Sequence, residues 1–338
     1  MIFNNKKANV TGYKQIEFIK EDISLSENNN IIIEIKSSAI CGGDKKAYTG
    51  DHPFVDYPIF LGHEISGEVV DTGGNVTTLS KGEKVTIEPA VNCGNCINCR
   101  MGNYNFCDEL TFLYRQGKAG MAKYIEVAED KAYKISDELG YDEAALIEPL
   151  AVAVHAWQKV NNSLTDKVAI IGSGTIGLLL TQLAVINGVK EVTVFGLKDF
   201  KLNLAAKFGA TNIINNSQNY NMNNEHDNYD KVFEAVGINQ TLDQSLELIK
   251  QNGEIILVGL YKNDVTIDMN KVIKKEVKLL GSQGYCWNFD EAIYLAESKK
   301  IKLKPLITHC FSLENITEAL EVSIDSKSNA IKVICNIN

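Results

Sequence analysis

The chain has no apolar run approaching the roughly 18 residues that a membrane-spanning helix needs. Ile31-Ile32-Ile33 and Val168-Ala169-Ile170-Ile171 are only strand-length. Its start, Met1-Ile2-Phe3-Asn4-Asn5-Lys6-Lys7, lacks the apolar core and small-residue cleavage site of a secretory signal, so a cytoplasmic location is expected. Basic residues are in deficit: 34 Lys and Arg against 43 Asp and Glu leave a formal charge of -9. That balance repels nucleic acid and anionic lipid, so no nucleic-acid or membrane partner is expected. Proline is scarce, at 5 in 338 residues, but 45% of the chain is hydrophobic and 23% charged. Disorder and fibrous structure are therefore excluded, and the length suits one large or two modest domains. The 8 cysteines are what stands out. In a reducing compartment disulfides are disfavoured, and four of the eight crowd between Cys93 and Cys107, which points to metal.

Residues 1–150 read as β-rich, with short runs (Ile31 to Ile35, Ile65 to Val70, Lys84 to Ile87, Tyr124 to Val127) separated by turns such as Thr72-Gly73-Gly74-Asn75. Near Glu148 the rhythm changes to strands alternating with helices. Lys167 to Ile171 precedes a helix from Ile176 to Asn187, Glu191 to Phe195 a helix from Phe200 to Phe208, and Lys231 to Ala235 a helix from Gln240 to Lys250, before a strand from Glu254 to Leu260. Such a βαβ series predicts a doubly wound parallel sheet. Gly188, Gly209 and Gly253 sit just past helices, where a left-handed residue is cheap. The Asn-rich stretch from Asn215 to Asn228 reads as a surface connection. After Gly281 the chain returns to the β-rich style, so the C-terminus is expected to complete the first domain. The expected fold class is α/β, divided into a first domain of residues 1–151 and 287–338, with a lobe at 92–108, and a second domain of residues 152–286.

Cys93-x2-Cys96-x2-Cys99-x7-Cys107 brings four thiols into one short loop, and CxxC turns place two sulfurs on one metal without strain. A closed four-sulfur site leaves no position for substrate and is structural. An iron–sulfur cluster shares the ligand type and is the rival to zinc. Val168 to Gly177 is a strand, a GxGxxG turn and the start of an apolar helix, the context in which that weak pattern becomes specific. Gly172 permits the turn, Gly174 lets backbone approach a pyrophosphate, and Gly177 packs helix on strand, with Thr175 and Ile176 offering amides at the helix start. An NAD site expects a carboxylate at the end of the next strand, where this chain has Gly196-Leu197-Lys198. Gly196 leaves space, and Lys198 and Lys201 suit a 2′-phosphate, so NADP(H) is favoured over NAD(H); the competing reading has Asp199 serve the ribose from a shifted position.

Three separated pieces remain, Cys41-Gly42-Gly43-Asp44, Gly62-His63-Glu64 and Glu148-Pro149-Leu150, and Cys, His and Glu are all zinc ligands. With these the chain resembles the zinc-dependent medium-chain dehydrogenases, in their polyol, butanediol and secondary-alcohol branch. The likeness spans nearly the whole chain. It rests on GHE, the four-cysteine lobe, Glu148 to Ala156, the Gly172 to Gly177 turn and Pro305-Leu306-Ile307-Thr308-His309. The resemblance implies a β-rich GroES-like catalytic domain beside a Rossmann domain, two Zn2+ ions per chain, a small-molecule alcohol or ketone as substrate, and a homodimer or homotetramer. It implies Cys41 and His63 as catalytic zinc ligands, Glu64 and Glu148 as carboxylates that bind the metal directly, through water or in alternation, and Asp44 as the group orienting the His63 imidazole. Zinc would polarise the alcohol while hydride passes to the nicotinamide. Both glutamates bound at once would leave an extra negative charge opposing alkoxide formation, so one direct glutamate at a time is expected.

The chain departs from the family pattern at three positions. Gly43 and Lys46 stand where a relay hydroxyl and often a His are usual. His52 is a candidate proton carrier, against the alternative of an exposed loop residue beside Pro53. Polyol members often carry Arg directly before the residue equivalent to Tyr285; here it is Gly284. Lys45, Lys46, Arg115 and Lys118 either receive a sugar-alcohol phosphate or are solvated surface. His155 and His309 read as satisfied core histidines, and Cys286, Cys310 and Cys335 as isolated thiols. The expected function is interconversion of a secondary alcohol and its ketone. The alternatives are a sugar-alcohol-phosphate dehydrogenase and a dinucleotide-binding regulator without turnover. A zinc-ribbon nucleic-acid module around Cys93 is opposed by the acidity.

Overall fold

The strand Asn30–Ala39 organises the first of two units, because it is paired on both edges along its length. Its sequence, Asn-Ile-Ile-Ile-Glu-Ile-Lys-Ser-Ser-Ala, carries β-branched Ile31, Ile32, Ile33 and Ile35 and is buried at all positions but Glu34 and Lys36, as suits a central strand. On one side it pairs antiparallel with Glu64–Thr72, and on the other with Tyr124–Ala128 and then Lys332–Asn336. Lys84–Ile87, Ala132–Lys134 and Ile307–Ser312 extend this to a seven-stranded sheet. Gln15–Ile23, Phe3–Gly12 and Ile59–Phe60 form a three-stranded sheet. Ile31, Ile33, Ile35, Ile65, Val85, Ile125 and Val333 meet in the core, so the C-terminal strand does complete this unit. The computed structural model describes residues 1–52, 56–218 and 225–337.

The second unit is a six-stranded parallel sheet in the order Asn212–Asn215, Glu191–Gly196, Lys167–Ile171, Tyr229–Glu234, Ile249–Leu257, Lys278–Gly281. In chain order this is 3-2-1-4-5-6, the doubly wound arrangement whose direction of growth reverses beside Lys167–Ile171. Strands covered on both faces are apolar throughout, and Val168, Ala169 and Ile170 are fully buried. Helices Thr175–Ile186, Asp199–Lys207 and Asn239–Leu248 follow the first, second and fourth strands.

Several expectations shift in detail. The units divide at 148/149 and 288/289 rather than 151/152 and 286/287. Helix Ile147–Trp157 runs through the first junction, where Glu148 interacts with His63, Glu64 and Lys332 of the first unit. At the second, Asn288 bonds His155 and Gln158 of the second unit. Gly188 and Gly209 have the expected positive φ, but Gly253 lies inside a strand, and Asn252 at φ 59° makes the turn. The Asn215 to Asn228 stretch begins at the end of a strand, and its residues 219–224 lie outside the described ones. His309 lies within a strand, half-buried beside the Thr308 hydroxyl at 3.0 Å, rather than in the core.

His155 is the buried histidine, with Nδ1 at 3.1 Å from Asn288 Oδ1, an acceptor already taking the Cys286 amide. Nδ1 therefore carries the proton, and Nε2 has no partner among the described residues. Burial first, and Lys159 second, lower the pKa of His155 to about 4. An unfolded imidazole binds its proton near 6.5, so the unfolded state takes up more protons between those values. Stability present above pH 6.5 should erode as pH falls toward 4, and His155→Gln should flatten that slope in urea unfolding. Equal slopes for both proteins would refute the assignment.

Candidate active site and metal centres

Strand register assembles the first site. Ala39 lies opposite Glu64, and Ile334 opposite Ala39, so the ends of three adjacent strands carry Cys41, His63 with Glu64, and Lys332 to one place. The ligand atoms of Cys41, His63 and Glu64 all lie within 4.8 Å of one another. Gly62 is required by this approach: it has φ 87°, and a Cβ there would meet the Met121 amide nitrogen at 2.7 Å.

Asp44 ties the two ligand-bearing segments together through backbone. Cys41 caps helix Gly42–Tyr48, its Sγ accepting from the Gly43 amide at 3.4 Å, while Asp44 Oδ2 accepts from the Cys41 amide at 2.9 Å in a capping box. Asp44 Oδ1 accepts from the Gly62 amide at 3.1 Å. The same oxygen is 3.8 Å from His63 Nδ1, beyond a hydrogen bond, so Asp44 orients the backbone around His63, and its expected hold on the imidazole is electrostatic only. His63 Nδ1 is buried and has no hydrogen-bond partner among the described residues. Burial opposes an imidazolium there, but Cys41, Asp44 and Glu148 outweigh it and hold the pKa of His63 above its ordinary value. A thiol, an imidazole and a carboxyl in an anionic pocket form a donor set that fits zinc.

Lys332 is the functional residue that sequence reasoning missed. Its Nζ donates to both oxygens of Glu64 at 2.6 Å, and the two side chains are 4% and 1% exposed. Glu148 is buried, does not join Cys41, His63 and Glu64 in a four-membered set at that spacing, and is pushed up to about 7, by burial first and then by Glu64 and Asp44.

The four cysteines form the second site. All their sulfurs lie within 4.8 Å of one another, with Cys93 and Cys107 Sγ 3.5 Å apart. Zn–S bonds of about 2.3 Å put tetrahedral ligands about 3.8 Å apart, so the set fits. Amides of Cys93, Cys96, Cys99 and Glu109 point at these sulfurs from 3.3–3.5 Å. Such bonds, from the Cys99 and Asp108 backbone above all, lower the pKa of Cys96 to about 6, toward the thiolate a metal requires. Of the remaining cysteines Cys335 is buried, its thiol pushed up to about 12, and Cys310 is exposed.

In the second unit, Gly172 turns at φ 107°, and a Cβ at Gly177 would fall 1.7 Å from the Gly172 carbonyl, so the helix beginning Thr175-Ile176 packs directly on the turn. A Cβ at Gly174 would meet nothing within 4 Å, which leaves that face of the backbone open. At Gly196 the space is already taken, since a Cβ would strike Ser173 Oγ at 2.4 Å. Lys198 is exposed and Lys201 half-buried, the pKa of the latter lowered by burial and by Lys198. Asp199 accepts from Asn215 Nδ2 at 2.6 Å. Gly284 has φ 53°, a backbone strained for the Arg that polyol relatives often carry. Lys118 pairs with Glu126, whereas Lys46 and Arg115 act electrostatically on His52.

The Lys332 pair generates a stability test. Lys332→Met strands a buried carboxylate and should cost about 3–5 kcal/mol in urea unfolding. The double variant Glu64→Leu, Lys332→Met should recover most of that loss. A single variant as stable as the parent would show that the pair is solvated.

Residues 27–137 match the model of the alcohol dehydrogenase GroES-like domain, and residues 175–298 that of the zinc-binding dehydrogenase domain. The D-arabitol-phosphate dehydrogenase of Enterococcus avium is 34% identical over 97% of this chain and 95% of its own. A Sinorhizobium meliloti protein described as a zinc-binding dehydrogenase, solved bound to NADP, superposes with a TM-score of 0.91 at 26% identity over 99% of both chains. An Escherichia coli alcohol dehydrogenase complexed with NADH superposes with a TM-score of 0.91 at 27% identity, over 98% of this chain and 99% of that one. The chain belongs to the family of zinc-dependent medium-chain alcohol and polyol dehydrogenases.

Proposed function

We propose that this enzyme interconverts a secondary hydroxyl of a polyol and its ketone, using one zinc at Cys41 and His63 with Glu64 and Glu148 as carboxylates, a second on Cys93, Cys96, Cys99 and Cys107, and a dinucleotide on the Gly172 to Gly177 turn. The observation that carries the reading is the Cys41, His63, Glu64 donor set, with His63 on the wall of a small cavity shared with Ile59, Phe60 and Leu61. Zinc in that set supplies a Lewis acid that makes a substrate hydroxyl acidic. The chain's own groups do the rest: Asp44 holds the spacing of the ligand segments, Lys332 holds Glu64, and Ile59, Phe60 and Leu61 give the cavity beside His63 an apolar side.

NADP(H) is the favoured dinucleotide. No carboxylate follows Gly196 directly, Asp199 bonds Asn215, and Lys198 and Lys201 supply positive charge near the strand end. A second reading, a phosphorylated sugar alcohol as substrate, is favoured by Lys46 and Arg115, whose charges act on His52 in the same cavity wall, and by the name of the Enterococcus relative.

Zinc analysis and a panel of free and phosphorylated polyols and their ketones, each assayed with NADP(H) and NAD(H), test this. Two zinc per chain and a kcat/KM at least tenfold higher with NADP(H) are expected. Preference for NAD(H) would reject the cofactor assignment, and dinucleotide binding without turnover of any member would reject the activity. Preference for phosphorylated substrates that is lost in Arg115→Ala and Lys46→Ala would replace the first reading with the second.

A further inference from the structure

Oxidising an alcohol releases two hydrogens differently: the C–H leaves as hydride to the oxidised nicotinamide, and the O–H as a proton that must reach water. The cavity beside His63 has about 20 Å³ of room, enough for one water-sized group. Its titratable wall is Asp44, His52, His63 and Tyr114. Asp44 is buried with both oxygens held by backbone amides, His63 belongs to the metal donors, and Tyr114 sets its ring against His63 with centroids 5.9 Å apart.

His52 is differently placed. It is half-buried and lines the cavity. Its Nε2 stands 3.7 Å from where a Cβ of residue 43 would be, so the imidazole faces the room that Gly43 leaves open. We infer that His52 is a catalytic residue of this site, the base that takes the substrate hydroxyl proton on Nε2 and hands it to solvent. The inference rests on the alcohol-oxidation reading above. In the balanced step the O–H bond breaks toward Nε2, the C=O bond forms, hydride reduces the nicotinamide, and the imidazolium then releases its proton to water. In the reverse direction the same imidazolium is the acid.

The charges around His52 suit a base. Burial, then Lys46 from helix Gly42–Tyr48 and Arg115 from the turn Leu113–Gln116, lower its pKa, Asp44 raises it, and His63 lowers it again. The ring is therefore neutral and able to accept at neutral pH, where general bases contribute about 10²–10⁴ in rate.

The test uses the zinc-loaded full chain with the substrate found for the parent enzyme. His52→Ala should lower kcat for oxidation about 100-fold at pH 7 and remove the acidic limb of the kcat profile, with zinc content and dinucleotide affinity unchanged. Gly43→Ser in that background should recover part of the rate, since a side chain there meets its neighbours only at ordinary contact. Independently of turnover, ¹⁵N-histidine spectra, with the resonance assigned by its absence in His52→Ala, should show a His52 pKa below 6.5 and an Nε2 shift on adding product ketone. Parental kcat and pH profile in His52→Ala would overturn the inference. So would a loss of rate matched by loss of zinc, which would make His52 merely structural. A parent enzyme that turns over no alcohol or ketone would overturn the reading beneath and His52 with it, an outcome distinct from an active parent with an indifferent variant.

Discussion

A buried ion pair, Lys332 with Glu64, closes the catalytic unit around its donor residues. It joins the C-terminal strand to the GHE segment across Asn30–Ala39, with both partners almost fully out of water. Removing two such charges from solvent costs several kcal/mol per ion, which their attraction offsets only when geometry is good. Here one ammonium meets both carboxylate oxygens and also the Ile40 carbonyl at 3.4 Å. The pair is thus best understood through position: it holds Glu64 next to Cys41 and His63 as a carboxylate that would otherwise be unpaired and buried. Strand pairing brings the three strand ends together, and the ion pair makes their polar contents compatible with a core.

What the sequence made legible was what is local. The four cysteines occupy fifteen consecutive positions, and the strand, turn and helix around Gly172 are contiguous, so spacing alone carries the geometry of both. The parallel sheet of the second unit followed from βαβ alternation, because parallel neighbours need crossovers. Lys332 was not legible: it is 268 residues from Glu64, and in Ile331-Lys332-Val333-Ile334 it reads as one polar residue in an ordinary strand. Asp44 was found, but its action was read as a contact with an imidazole, whereas helix capping turned its oxygens to two backbone amides. Gly253 misled for a similar reason. Glycine after a helix suggests a left-handed residue, but the neighbouring Asn252 takes that conformation, and Gly253 serves packing, a Cβ there meeting Ile249 at 2.6 Å.

Gly196 shows how one residue supports two arguments of unequal strength. From the sequence it marks the absence of a carboxylate at the strand end, and that absence stands. The further idea, that glycine leaves space for a bulky phosphate, has a competitor in the structure, since Ser173 already fills the direction of the missing Cβ. The case for a 2′-phosphate therefore rests on charge, on Lys198 and Lys201, and on Asp199 being engaged with Asn215.

The charge inventory of the first site also limits how its carboxylates share a metal. Four acids, Cys41, Asp44, Glu64 and Glu148, act on one imidazole or stand beside it. Asp44 is satisfied by amides and Glu64 by Lys332, whereas Glu148 forms no ion pair among the described residues and is pushed up to about 7 by burial. By charge alone Cys41 and Glu148 are the acids that a divalent cation beside His63 would balance, whereas by position it is Glu64, and not Glu148, that lies within 4.8 Å of Cys41 and His63. For Glu64 to bond the metal as well, an oxygen must loosen from Lys332, and that ammonium would then face a site already neutral. Two glutamates bound together are disfavoured on this count, and alternation between them requires Lys332 to move with Glu64.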